Sequence, residues 1–155
     1  MKRLAVFACV VLLGLASASP VLAEKPPRRT FVVVLRAADE VPLCAVADRS
    51  DLGVAIFHVR DEDQGTVRFK LIATDLPGDL TAAHIHIAPA GTPGQVVQPL
   101  ALRPGVQRGL IGKGTFDNAA LVTALRATPS AYYVNVHTGP EGVGCPPGVI
   151  RGQFG

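Results

Sequence analysis

Three short stretches of this chain carry side chains of the kinds that do chemistry. The first is Thr81-Ala-Ala-His-Ile-His-Ile-Ala-Pro89. Read as a strand, it puts Ala83, Ile85 and Ile87 on one face and His84 and His86 on the other. Imidazoles at i and i+2 of a strand stand roughly 6.5–7 Å apart at their backbones, close enough to share one ion or one partner. The second runs from Ala131 to Thr138 and alternates Tyr132, Val134 and Val136 against Tyr133, Asn135 and His137. The third, Val149 to Phe154, sets Ile150 and Phe154 against Arg151 and Gln153. If these strands are neighbours, His84, His86, Tyr133, Asn135, His137, Arg151 and Gln153 line one surface. Periodicity alone does not say that they are neighbours.

Three chemistries suit such a set. Neutral imidazoles ligate zinc or copper well, and His84, His86 and His137 with water would make one open mononuclear site. Alternatively, the imidazoles, the amides and Arg151 form a hydrogen-bond network that fixes the strands. The third is a binding site for an acidic or glycan ligand. A cation at Arg151 would oppose a metal if it pointed at the rings. His58 shares its face with Ile56 and Arg60 and reads as a surface histidine. Catalytic residues are not indicated. Carboxylates fall mostly in turns, the serines at 17, 19, 50 and 130 lie outside any G-x-S-x-G elbow, and no glycine-rich phosphate loop precedes a helix.

The elements that must position these groups follow an N-terminal address. Met1-Lys2-Arg3 is basic, Leu4 to Ala16 is apolar, and Val21-Leu22-Ala23 fits a cleavage site. Residues 1–23 therefore read as a signal peptide, and 24–29 as a flexible lead-in. The apolar run is shorter than the ~20 residues of a membrane span, so no span is expected once the signal is removed. The chain has 155 residues, and 132 remain after Ala23, enough for one domain over 30–155. Removing Lys2 and Arg3 leaves 13 basic against 12 acidic side chains, which argues against nucleic acid as a partner. Two cysteines remain, Cys44 and Cys145. An even count in an exported chain points to a disulfide, here closing a loop of roughly 100 residues.

Between the turns lie β-branched and alternating runs: Thr30 to Arg36, Gly53 to Arg60, Thr66 to Ile72, the histidine strand, Val96 to Leu102, and the two other site stretches. Arg108 to Phe116 carries Gly109, Gly112 and Gly114 and reads as a weak, kinked strand. Ala119, Leu121, Val122 and Leu125 fit a 3.6-residue period, with Asp117 or Asn118 as N-cap and Pro129 beyond the end. The expected fold is all-β, an antiparallel sandwich or barrel with one short helix.

Taken in order, a longer set of residues resembles a known family. It comprises Phe31, Glu40-Val41-Pro42, Gly53, His84-Ile85-His86, Gly94 with Val96-Val97, Tyr133-Val134-Asn135-Val136-His137-Thr138 and Gly148-Val149-Ile150-Arg151-Gly152-Gln153. The resemblance is to the CHRD domain, named after chordin and also found in exported bacterial proteins, and it covers about Thr30 to Phe154. It implies an immunoglobulin-like β-sandwich or barrel, an extracytoplasmic setting and no established catalytic activity. Chordin's antagonism of growth factors rests on a multidomain context and is not carried over. Ile87-Ala88 stands where many members have His followed by Gly, and the Cys44 and Cys145 pair is not a family hallmark. The expected role is a secreted or periplasmic binding or structural module, with an extracytoplasmic protein or glycan as partner. The alternative is a mononuclear copper or zinc protein, redox-active if copper is bound.

Overall fold

The computed structural model describes Pro27, residues 29–140 and residues 144–155. The expected signal segment lies outside the described residues, as does most of the lead-in. The strands are β1 (Thr30–Arg36), β2 (Leu52–Asp61), β3 (Thr66–Ala73), β4 (Asp79–Ile87), β5 (Gln95–Pro99), β6 (Gly109–Asp117), β7 (Tyr132–Gly139) and β8 (Ile150–Gln153), with one helix, α1 (Ala119–Ala127), between β6 and β7. No helix among the described residues is long and apolar enough to cross a membrane.

Alternation decides which side of each strand is buried. Phe31, Val33 and Leu35 of β1, Ala55, Phe57 and Val59 of β2, and Val67, Phe69 and Leu71 of β3 all point into one core. Ala83, Ile85, Val134, Val136, Ile150 and Phe154 meet them from the other half of the sheet. Each such aliphatic or aromatic side chain contributes about 1.5–3 kcal/mol by leaving water. The Phe154 ring lies 5.3 Å from Phe57 and 6.1 Å from Phe31, so it ties the last strand to the first two.

All strand pairs are antiparallel, and the order is β5-β4-β7-β8-β1-β2-β3-β6. The all-β expectation with one short helix therefore stands. The strands form one continuous sheet rather than two separate ones, and the sheet curls around its core. It has a narrow waist, because β1 and β8 share one register pair, Arg36 with Arg151. Its two edges are drawn together by a single run. Leu100 donates its N–H to Ala83 of β4 at 2.8 Å, while Leu102 bridges Gly112 of β6 and Arg103 donates to Ile111 at 2.7 Å. The expected strand over Val96 to Leu102 thus divides into β5 and a segment that reaches the opposite edge.

The glycine-rich β6 carries the expected kink, a register shift that leaves Ile111 out of the ladder beside Gly112, but it is not weak: it pairs with β3 along its whole length, from Thr66↔Asp117 to Ala73↔Gly109. Its glycines permit close approach: a Cβ at Gly112 would lie 2.8 Å from the Ala101 carbonyl. The helix forms where its period predicts. Asn118 caps it, its side chain accepting from Leu121 N–H at 3.0 Å. Leu121, Val122 and Leu125 enter the core, while Ala119 stays exposed.

Cys44 and Cys145 are joined, with Cα atoms 5.7 Å apart and a sequence separation of 101. The bridge links the β1–β2 connection to the β7–β8 loop. In the chain-entropy account a loop of that length stabilises by about 4–5 kcal/mol, and real bridges often give less.

The waist holds because Gly152 has no side chain, since a Cβ there would collide with the Val34 carbonyl. Gly152→Ala is expected to cost about 2–3 kcal/mol or more in urea unfolding. A loss under ~0.5 kcal/mol would show that β8 is free to move away from β1.

Candidate functional site

β7 lies between β4 and β8. Register places His84 opposite Asn135 and Asn135 opposite Arg151. One pleat along, His86 stands opposite Tyr133, and Tyr133 opposite Gln153. His137 is opposite Ala82, two positions on from Asn135. Residues directly opposite in a sheet project from the same face. All seven side chains singled out from the sequence therefore share the outer face, away from the core that Ile85, Val134 and Ile150 fill.

The three imidazoles converge. Ring centroids are 5.5 Å apart for His84 and His86, 5.1 Å for His84 and His137, and 5.8 Å for His86 and His137. One nitrogen from each lies within 4.8 Å of the others. His84 Nδ1 and His137 Nε2 are hydrogen-bonded at 3.2 Å, His84 donating because His137 Nδ1 carries its ring's hydrogen toward Pro146 O. The same separation is close to the ~3.3 Å expected between two nitrogens that each sit ~2.0–2.1 Å from a tetrahedral ion.

Loop carbonyls orient two of the rings. His86 Nδ1 is 2.9 Å from Gly94 O, and His137 Nδ1 is 2.9 Å from Pro146 O. A carbonyl only accepts, so both Nδ1 atoms carry hydrogen and both Nε2 atoms of the neutral rings offer lone pairs. This carbonyl–imidazole arrangement is the outer shell that fixes metal-ligating histidines. His86 Nε2 is buried and has no hydrogen-bond partner among the described residues. Leaving such an atom unpaired costs about 1–3 kcal/mol.

The remaining groups brace the rings. The Tyr133 ring stacks on His86 at 4.7 Å and 8°, and its hydroxyl accepts from Gly94 N–H at 2.9 Å. The Arg151 guanidinium lies 3.5 Å over the Tyr133 ring. Its Nη2 donates to Pro89 O at 3.2 Å and Thr92 O at 2.8 Å. Arg151 is thus engaged by the tyrosine face and the loop after β4. Gln153 holds the same loop by donating to Ala88 O at 2.8 Å, and it reaches Ser130 O at 2.7 Å. His58 lies apart on β2, with its Nδ1 2.9 Å from Thr30 Oγ1.

Glu40 also belongs to the site, although periodicity gave no reason to place it there. It sits in the connection after β1, is 2 % exposed, and accepts from Asn135 Nδ2 at 3.3 Å and from Val41 N–H at 3.1 Å. Gly148 lies against its carboxylate and the Asn135 amide, where any side chain would collide. Glu40 Oε2, Asn135 Oδ1 and Arg151 Nη1 are buried without hydrogen-bond partners among the described residues. The one sequence signal for Glu40 is its place in the Glu40-Val41-Pro42 part of the family resemblance. The carbonyls of Gly94 and Pro146 left none, because every residue carries a carbonyl.

Burial controls the charge here. It pushes all three imidazoles below their ordinary value of 6.5, helped at His84 by repulsion from His137 and His86, and at His86 by His137 and Arg151. The bonds to Gly94 and Pro146 oppose the shift without cancelling it. The rings are therefore neutral at pH 7, the form that binds metal. Burial also raises the Glu40 carboxyl from 4.5 to about 7, against the opposing Val41 N–H, Arg151 charge and Asn135 amide.

These shifts act on stability with opposite signs. The histidine contribution is present above pH 6.5 and is lost as pH falls below it. The folded state holds the Glu40 proton between pH 7 and 4.5, so that group stabilises as pH falls through this window. Above pH 7 its buried charge costs on the order of 3 kcal/mol. Glu40→Gln should therefore raise Tm relative to wild type at pH 8, and this difference should shrink by several degrees, on the order of ten, toward pH 5. Melting curves across this range check it. A difference independent of pH would mean that Glu40 titrates as an ordinary carboxylate.

The family model described as the CHRD domain matches residues 31–154, nearly all of the described chain. No curated protein and no solved structure matches. The family match spans both halves of the sheet and every residue of the polar cluster, and on that basis this chain belongs to the CHRD domain family.

Proposed function

We propose that this chain is an exported, non-catalytic binding module whose imidazole triad holds one transition-metal ion, copper or zinc. The observation that carries the reading is the convergence of His84, His86 and His137 nitrogens within 4.8 Å, with the buried Nε2 of His86 lacking a partner among the described residues. An ion would satisfy that atom and use the lone pairs that the Gly94 and Pro146 carbonyls aim. Three imidazoles with no thiolate or carboxylate among them suit zinc or copper rather than calcium or magnesium. The Cys44–Cys145 bridge and the apolar pattern of residues 1–23 support export. Two four-strand halves around one core support an immunoglobulin-like arrangement of the barrel.

A structural network is the second reading, favoured by the stack of His86, Tyr133 and Arg151 and by the bonds to the loop after β4. Metal titration with melting separates the two. An ion that binds only the folded chain adds about 2.7 kcal/mol at a hundredfold excess over Kd. The expected result is one ion per chain, a Tm that rises with added copper or zinc, and affinity reduced by ~100-fold or more in His84→Ala and in His137→Ala. No bound ion, with a large Tm drop in both variants, would leave the network reading in its place.

A further inference from the structure

We propose that the outer face of β2, β3 and β6 binds a polyanionic glycan, a polysaccharide whose sugars carry sulfate, phosphate or carboxylate groups. The site is independent of the histidine cluster, which lies on the other half of the sheet.

Arg60, Arg68, Lys70 and Lys113 line a surface concavity of about 470 Å³, completed by Gly114 and Thr115. All four cationic residues are exposed. Lys70 stands directly opposite Lys113 in the β3–β6 register. Like charges in that position repel across the sheet and weaken the pair, so the fold itself gains nothing from them. Arg68 is one pleat from Lys70, roughly 7 Å along the strand. Arg60 falls where the β2–β3 register shifts, between Val59 and Asp61.

Carboxylates do not neutralise the group. The ion pairs among the described residues join Glu62 to Arg29 and Arg126, and none reaches this concavity. Asp61 and Asp117 both stand opposite Thr66, one pleat beyond Arg68 on the side away from Lys70 and Lys113. Asp61 accepts from the N–H groups of Asp63 and Gln64, and Asp117 from the Thr66 hydroxyl. A chain with 13 basic and 12 acidic side chains beyond residue 23 thus concentrates on one patch four cations without an ion-pair partner among the described residues.

The surroundings select among anions. A bilayer-docking face presents Trp, Tyr or Phe at the headgroup level. This chain has no tryptophan, both tyrosines are buried, and the concavity is lined by Arg60, Arg68, Lys70, Lys113, Gly114 and Thr115, none of them an aromatic or a large apolar side chain. Single-stranded nucleic acid needs exposed aromatic platforms, which the concavity lacks. A concave cationic floor without aromatics fits charged groups carried on a hydrated polymer.

The test uses the full chain and fluorescent dextran sulfate, with uncharged dextran as control. Binding to the sulfated polymer is expected, weakening about tenfold or more between about 50 mM and about 300 mM salt, with none to the neutral polymer. Lys70→Glu and Lys113→Glu each turn a repulsive cross-strand pair into an attractive one. Each should hold or raise Tm while lowering affinity about tenfold, a combination that misfolding does not produce. Arg49→Glu, on the exposed β1–β2 connection, should leave binding unchanged. Absence of binding, binding that survives both lysine variants, or preferential binding to phosphatidylglycerol vesicles over dextran sulfate would overturn the proposal.

Discussion

The register between β4, β7 and β8 is the constraint on which the rest depends. Side chains alternate across a strand, so a slip of one residue would carry a whole set to the other face. Here the same register that sends Ile85, Val134 and Ile150 inward sends His84, Asn135 and Arg151 outward in a row, with His86, Tyr133 and Gln153 beside it. Core burial therefore fixes the site. The hydrophobic stabilisation of the inner face is far larger than any preference of the polar face for its own arrangement.

That polar face does not rest in water. Two loops roof it, and the site groups themselves hold those loops down. Arg151 and Gln153 grip the segment after β4, while His137 and Asn135 bind Pro146 and Pro147 of the β7–β8 loop. The disulfide ties this second loop to the connection that carries Glu40. The roof explains both the neutral imidazoles and the high Glu40 pKa, since all of them lose water for the same reason. It also explains why several buried polar atoms lack partners among the described residues. The roof excludes solvent more completely than the cluster satisfies itself.

Among the described residues, nothing covers the other half of the sheet in this way. On the outer face of β1, β2 and β3, Val32, Val34, Leu52 and Ile72 stand exposed beside the cationic concavity. One fold thus presents two unlike outer surfaces, a roofed and desolvated cluster and an open, charged one. The waist at Gly152 joins them.

Much of this was legible in the sequence because it follows from local periodicity. The alternation in Tyr133-Val134-Asn135-Val136-His137 predicts which side chains share a face, and the Leu121, Val122 and Leu125 spacing predicts the helix. The glycines of β6 marked its kink, the register shift beside Gly112, but not its strength, because a glycine that weakens an isolated strand also permits the close approach that β6 needs against the segment at Ala101. The sequence by itself determined the all-β class, the cysteine pair and the parity of the seven polar residues. These depend only on residue type and on the two-residue repeat of a strand. The tertiary structure alone decided that β4, β7 and β8 are neighbours, that Glu40 joins them from about 95 positions away, and that carbonyls of Gly94 and Pro146 aim the rings. Strand order is a long-range property, and backbone carbonyls are alike at every position, so neither leaves a mark in the order of side chains.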